Sequence, residues 1–259
     1  MPKFRPYPRR EYRRLFRRWA RRNATALVVL SVFVLAFLAL ETVVFLSLMP
    51  DAGLSWWLLG VLQAALVGVA LHVVNAAFLA HEREAIWHLR GAWGEDATRD
   101  ELRRARRKRL IWGWVDSISL AAGDLDHVVV TRGGGLLSID SKWRSDGRDT
   151  DVMARSAARA RRRAEGVAQS LLKSERGSHR AKGHAVTVRP LVVIWGPAQH
   201  QVPDQFEVDG IPFVGGRRLV AWLRNLGGEP VTKGAAKETL RNLEQYRSTS
   251  WQAQSKRKP

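Results

Sequence analysis

The sequence predicts an N-terminal two-helix transmembrane hairpin followed by an α/β domain with a central mixed sheet flanked by helices. Two apolar runs of membrane-spanning length, separated by Pro50-Asp51-Ala52-Gly53, predict the first part. Segments in the order helix, strands, helix, strand, strand, helix predict the second. The chain accordingly divides into a basic juxtamembrane arm (1–23), the hairpin (24–80, with spans 24–49 and 54–80), a folded domain (81–228) and a basic C-terminal extension (229–259).

The first run, Ala24 to Met49, has Glu41 as its one charge and is long enough to cross a hydrocarbon core of about 30 Å at ~1.5 Å per residue. A secretory signal peptide is the rival reading. The run is too long for one, lacks a small-x-small cleavage site and is followed at once by a second apolar run. That run, Leu54 to Ala80, opens on Trp56 and Trp57, where an interfacial aromatic belt would place them. Basic residues crowd the arm, and Arg83, Arg90 and Arg99 follow the hairpin, whereas its turn has none. The positive-inside rule then puts both termini and the soluble domain on the cytoplasmic face of the cell membrane.

Inside the spans, Glu41 and Gln63 lie at matching depths and are expected to hydrogen-bond across the helix pair. Gly60, Ala64 and Gly68 form a small-xxx-small row suited to close helix approach, within the hairpin or between two copies in a homodimer. In the arm, RRLFRRWARR interleaves Leu15, Phe16 and Trp19 with arginines, the composition of a segment lying on an anionic lipid membrane.

Lys plus Arg outnumber Asp plus Glu by 43 to 24, a formal charge of +19, which implies an anionic partner: nucleic acid or the inner leaflet. The absence of cysteine excludes disulfides, thiolate metal sites and a cysteine nucleophile. Beyond the apolar runs about 180 residues remain, enough for one soluble domain.

In that domain, 91–109 has helix-forming residues throughout and an inward row of Glu95, Thr98, Leu102 and Ala105. A carboxylate heading that row is costly to bury alone, so Glu95 is expected to have a cationic partner. Trp112 to Leu120 reads as a strand. LDHVVVT and LLSIDSKW are two further β-rich runs around a glycine turn. If Thr131 and Gly135 close a three-residue loop, Asp126 lies opposite Asp140, and alternation puts Lys142 beside Asp140 on the same face.

Residues 151–173 read as an Ala-rich helix whose row Met153, Ala157, Ala160, Ala164, Val167 and Leu171 faces the sheet. Arg155, Arg159, Arg162 and Arg163 project elsewhere as a basic, nucleic-acid-binding face. A polar linker (175–183) precedes the buried strand PLVVIWG, a short strand over 208–214 and a closing helix over 217–226. The tail from Ser248 has a disordered composition.

Asp126, Asp140 and Lys142 thus converge at one edge of a hairpin, within reach of Glu95 if its helix packs there. Carboxylates beside a lysine suit a hard divalent cation such as Mg²⁺, and the chemistry they suggest is phosphodiester hydrolysis. The bland alternative makes Asp126 a turn residue, Asp140 and Lys142 an exposed ion pair and Glu95 a first-turn acid. His127, one residue on, falls on the opposite sheet face and reads as structural, the glycine run as a turn, and Trp143 as a sheet-packing or base-stacking residue.

The stretches GAWGED, GDLDHVVVTRGGGLLSIDSKW, VRPLVVIWGP and VDGIPFVGGRRLVAWL resemble the NERD (nuclease-related) domain, placed within the PD-(D/E)xK restriction-endonuclease-like fold. The likeness spans 91–226. It implies a restriction-endonuclease-like α/β domain, Mg²⁺ or Mn²⁺ as cofactor and DNA as the nucleic-acid partner. It also implies roles: Glu95 as the first-helix glutamate, Asp126 and Asp140 as acidic metal ligands and Lys142 as the catalytic lysine. Asp140 stands where the family usually has glutamate. The glutamine many relatives of the wider fold carry after the lysine strand is replaced here by Ser156, Ala157 and Ala158, and Gln169 comes too late. The sequence is compatible with a membrane-anchored, metal-dependent nuclease, a catalytically inactive nucleic-acid-binding module tethered to the membrane, and a lipid-surface scaffold.

Overall fold

The computed structural model describes residues 7–48, 53–120, 123–175, 188–228 and 230–255, which form two compact units, one of residues 9–89 and one built on the chain from Arg90 onward. The first unit contains α1 (Tyr7–Arg22), α2 (Ala24–Leu48) and α3 (Gly53–His81). Both α2 and α3 are long and apolar enough to cross a membrane. No residue of α2 is buried, and in α3 only Leu59 and Phe78 are.

Two expectations for this unit change. Gln63 Nε2 donates to Thr42 Oγ1 at 2.8 Å rather than to Glu41. Thr42 donates its own proton to the Leu38 carbonyl at 2.7 Å, so its lone pairs are free to accept. Both Glu41 carboxyl oxygens are shielded from solvent without a hydrogen-bond partner among the described residues. The row Gly60, Ala64 and Gly68 is exposed, and a Cβ added at either glycine would meet nothing within 4 Å, so the small residues do not serve packing within the hairpin.

The basic arm is also more than a surface-lying segment. It is helix α1, and its apolar side, with Leu15 and Trp19 buried, packs against protein. The rings of Tyr12, Phe16 and Trp19 lie 5.4, 5.1 and 5.6 Å from the Phe78 ring of α3.

The second unit is a three-layer domain. Helix α4 (Arg83–Arg107) leads into β1 (Ile111–Ile118), β2 (Leu125–Thr131), β3 (Leu136–Trp143), α5 (Thr150–Glu175) and β4 (Val188–Trp195). These are followed by β5 (Glu207–Val208), β6 (Ile211–Gly215), α6 (Leu219–Arg224) and α7 (Lys233–Ser255). The mixed sheet has the order β1-β2-β3-β4-β6-β5, antiparallel from β1 to β3, parallel from β3 through β4 to β6, and antiparallel again at β5. The odd-numbered residues of β2 to β4, such as Val129, Leu137, Ile139 and Leu191, pack under α4 and α6. The opposite face, with Val128, Val130 and Val192, packs under α5 and α7.

Periodicity accounts for most of this. Thr98, Leu102 and Ala105 are fully buried along α4, and Met153, Ala157, Ala160, Ala164 and Val167 are buried along α5, as their spacing requires. The hairpin closes on Thr131 and Gly135: Thr131 N–H donates to the Gly135 carbonyl at 3.0 Å, and Gly135 takes φ 70°. His127 then pairs with Ile139 and Val130 with Leu136, the register expected for a three-residue loop.

Other expectations give way. The single strand over 208–214 is a hairpin of β5 and β6 turning at Asp209 (φ 52°) and Gly210 (φ 70°), both left-handed as an Asp-Gly two-residue turn demands. The closing helix is shorter, a single 3₁₀ turn at Gly216–Arg218 and then α6. The tail expected to be disordered from Ser248 continues α7 to Ser255, and Ala236 and Leu243 of α7 are buried against the β1 and β2 face. The polar linker lies, from residue 176, outside the described residues.

Candidate active site

The antiparallel turn brings Asp126 and Asp140 to neighbouring positions just beyond the last β2–β3 pair. Alternation on β3 puts Lys142 on the same face as Asp140. Lys142 Nζ lies 2.6 Å from Asp140 Oδ1, and Asp140 is 6% exposed, so this ion pair is buried rather than solvated. Ser141, between them, points to the other face but donates its backbone N–H to Asp126 Oδ2 at 2.9 Å. That bond ties the start of β2 to the centre of the motif. Opposite Asp126 in the register, Ser117 takes φ 53°, a left-handed residue interrupting β1 beside the site.

Helix α4 packs on the Ser141 face of β3, opposite Asp140 and Lys142, so of the site's charges Glu95 feels that of Asp126. Thr98 Oγ1 bonds Ser141 Oγ at 2.8 Å, accepts from Trp195 Nε1 at 2.7 Å and donates to the Gly94 carbonyl at 2.9 Å. This buried hydroxyl cluster pins α4 to β3 and β4 one turn away from Glu95. Replacing Thr98 by Val is expected to destabilise the domain by about 1–3 kcal/mol, because Trp195 Nε1 is left buried without an acceptor. Thr98→Ser should restore most of it, and urea unfolding of the three proteins measures the difference.

Glu95 is 6% exposed and, contrary to expectation, makes no ion pair among the described residues. The nearby cation, Arg99, is held instead by Asp116 at 2.9 Å and Asp96 at 2.6 Å. Burial, reinforced by the charge of Asp126, pushes the Glu95 carboxyl up to about 9. Burial and the charge of Asp140 push Asp126 up to about 6. Burial alone would lower the Lys142 ammonium, but Asp140 and Asp126 outweigh it and hold the pKa above the usual lysine value.

His127 lies on the opposite face, as alternation requires, and is fully buried with Nδ1 2.6 Å from Asp116 Oδ1. Although burial raises the Asp116 carboxyl, the His127 hydrogen bond and the charges of His127 and Arg99 outweigh it and hold the group down at about 2. This chain of His127, Asp116, Arg99 and Asp96 escaped the sequence reading because its members come from three elements. The one available signal was the pairing of Asp116 with His127, which requires the β1 register.

Two carboxylates and a lysine therefore share one locus, and a third carboxylate, Glu95, is close enough to feel the charge of Asp126. Among the described residues no three acidic or histidine side chains come together as a ready metal cage. The donor set nevertheless fits a cation that takes only one or two protein carboxylates. Asp140 Oδ2 is buried with no hydrogen-bond partner, while Oδ1 is engaged by Lys142. Mg²⁺ commonly keeps several waters and uses one or two carboxylates plus a substrate phosphate. Asp126 and Asp140 are the residues that would hold it, and Glu95 would act from α4.

Of the four arginines assigned to a nucleic-acid face, Arg155, Arg159 and Arg162 are exposed on α5. Arg163 is half-buried and donates to the Asp124 carbonyl at 3.3 Å, bracing the β1–β2 loop. Trp143 packs against Trp93 of α4, ring centroids 5.7 Å apart. Compared with protein-family models, curated proteins and solved structures, the chain matches none of them.

Proposed function

We propose that this protein is a membrane-anchored, metal-dependent nuclease that hydrolyses nucleic-acid phosphodiesters, DNA foremost, at the cytoplasmic face. The observation that carries this reading is the buried Asp140, one oxygen on Lys142 and the other unpartnered, beside a second carboxylate. An exposed ion pair of the bland kind would leave both oxygens to water and would not be built into a core strand.

A divalent cation bound to Asp126 and Asp140 would neutralise phosphate charge and lower the pKa of a bound water. Lys142, kept charged by its two acidic neighbours, orients the attacking water or stabilises the negative charge that grows on the phosphoryl oxygens. Water replaces one ester oxygen at phosphorus. The exposed arginines of α5 position the backbone by phosphate contacts, without reading sequence. Membrane anchoring rests on α2 and α3, and the family resemblance supports the same reading of the site. Metal-dependent cutting of plasmid or single-stranded DNA by the detergent-solubilised chain, in Mg²⁺ or Mn²⁺ against EDTA, tests it. A folded protein that binds DNA and never cuts would favour the inactive binding module.

A pH dependence follows from the same carboxylates. Glu95 and Asp126 are raised in the folded state, so that state holds more protons than the unfolded chain between about pH 4 and 9. In EDTA, their contribution to stability is full below about pH 4 and declines as pH rises through about 6 and then 9. A cation competes with those protons, so added Mg²⁺ should raise the melting temperature more at pH 8 than at pH 5. Equal shifts at both pH values would argue against carboxylate ligation.

A further inference from the structure

We propose that α1 is a docking helix for anionic phospholipid, gripping headgroup phosphates with the row Arg13, Arg17 and Arg21. The inference rests on the reading that α2 and α3 cross the bilayer and is independent of catalysis.

An amphipathic helix on a membrane ordinarily buries its apolar side in lipid. Here that side is occupied by protein: Leu15 and Trp19 are buried, and three aromatic rings converge on Phe78. Tyr12 and Trp19 are about 10 Å apart along α1 at 1.5 Å per residue, and both reach the same ring, so Phe78 fills the gap between successive turns of α1. Tyr12 Oη bonds Asn75 at 3.2 Å and Arg22 reaches Glu82 at 3.9 Å, holding α1 on either side of Phe78.

With the apolar side engaged, α1 presents its arginines outward. Arg13, Arg17 and Arg21 follow one another at i, i+4 and i+8, are all exposed, and make no ion pair among the described residues. Side chains at this spacing form one row with neighbours about 5–6 Å apart. Guanidinium groups bind phosphate by paired hydrogen bonds, and the row offers no carboxylate to compete. Arg14 and Arg22, on the adjacent row, are partly engaged by Glu11 at 3.2 Å and Glu82 at 3.9 Å.

Position selects lipid over nucleic acid. Asn23 alone separates α1 from α2, a 25-residue helix without a buried residue, and Arg21 is three residues from its start. If α2 spans, Arg21 lies within one helical turn of the hydrocarbon edge, in the layer of the lipid phosphates, and Arg17 and Arg13 follow about one and two turns further along α1. A nucleic acid seeking the same row would meet those phosphates well inside a screening length of about 8 Å. Trp87, large and 67% exposed shortly after α3, suits the same interfacial layer.

The test uses the full chain in neutral detergent micelles, given phosphatidylglycerol or phosphatidylcholine, with retained lipid measured after gel filtration. The wild type should retain phosphatidylglycerol preferentially. Each basic residue near an anionic surface contributes roughly fivefold, so R13Q/R17Q/R21Q should reduce the preference by about 100-fold. R13K/R17K/R21K should keep much of it, and R155Q/R159Q/R162Q should leave it unchanged while weakening DNA binding. An unchanged preference in the α1 glutamine variant overturns the proposal. So does a loss of DNA affinity by that variant with lipid preference intact, which would make the row a nucleic-acid surface. Carbonate extraction of the chain from vesicles would by contrast report failure of the membrane-spanning reading itself.

Discussion

Lys142→Ala is expected to lower metal-dependent cleavage by about 100- to 1,000-fold, the loss typical when a donor aimed at developing negative charge is removed. The same change strips Asp140 of its partner at 2.6 Å in a position 6% exposed, so the variant should also lose about 3–5 kcal/mol of stability. Two further proteins separate chemistry from folding. Lys142→Arg keeps a cation beside Asp140 but substitutes a planar fork for a compact ammonium, and it should fold and cut poorly. Asp140→Asn combined with Lys142→Met removes both buried charges together, so it should melt close to the wild type and be inactive. Cleavage at wild-type rate by either folded variant would remove Lys142 from the mechanism and leave the ion pair a structural one.

The second large effect concerns α7. Leu243 is 1% exposed among Val115, Ile118 and Val128, and its replacement by Ala should cost about 2–5 kcal/mol through lost transfer energy and the cavity left behind. A chain ending at Gly228 uncovers that whole patch. Since a domain of this kind has only about 5–15 kcal/mol in reserve, the shortened chain should show no cooperative melt by circular dichroism. The approach to α7 is also knitted into the sheet: Val231 N–H donates to the Arg132 carbonyl at 2.9 Å, and Trp112 Nε1 donates to the Val231 carbonyl at 2.9 Å. An unchanged melting temperature in the shortened chain would mark the segment as a dispensable basic extension.

Composition concealed α7 because its outer face is rich in Lys, Arg, Gln and Ser, and a composition average dilutes the few apolar residues that pack. Ala236, Leu240 and Leu243 recur at i, i+4 and i+7, the spacing of a buried stripe, but three residues among many polar ones do not stand out. The Asp209-Gly210 turn was more legible. An Asp-Gly pair is a strong two-residue hairpin signal, and it splits what otherwise reads as one strand.

The candidate site divides the same way. Asp126, Asp140 and Lys142 were readable because a three-residue loop sets the hairpin register and a strand alternates its faces with period two, both consequences of local backbone geometry. The inward stripe of α4 and the two apolar spans rest equally on local periodicity. What the tertiary structure alone decided is which partner each polar group finds. Gln63 takes Thr42 and leaves Glu41, Arg99 takes Asp96 and Asp116 and leaves Glu95, and Thr98 meets Ser141 and Trp195. The sequence by itself determined the elements and the faces they bury, since these follow from short-range repeats along one chain segment. Pairings between segments far apart in the chain depend on how helices and sheet seat against one another, and differences of a single residue or a few ångströms there choose the partner.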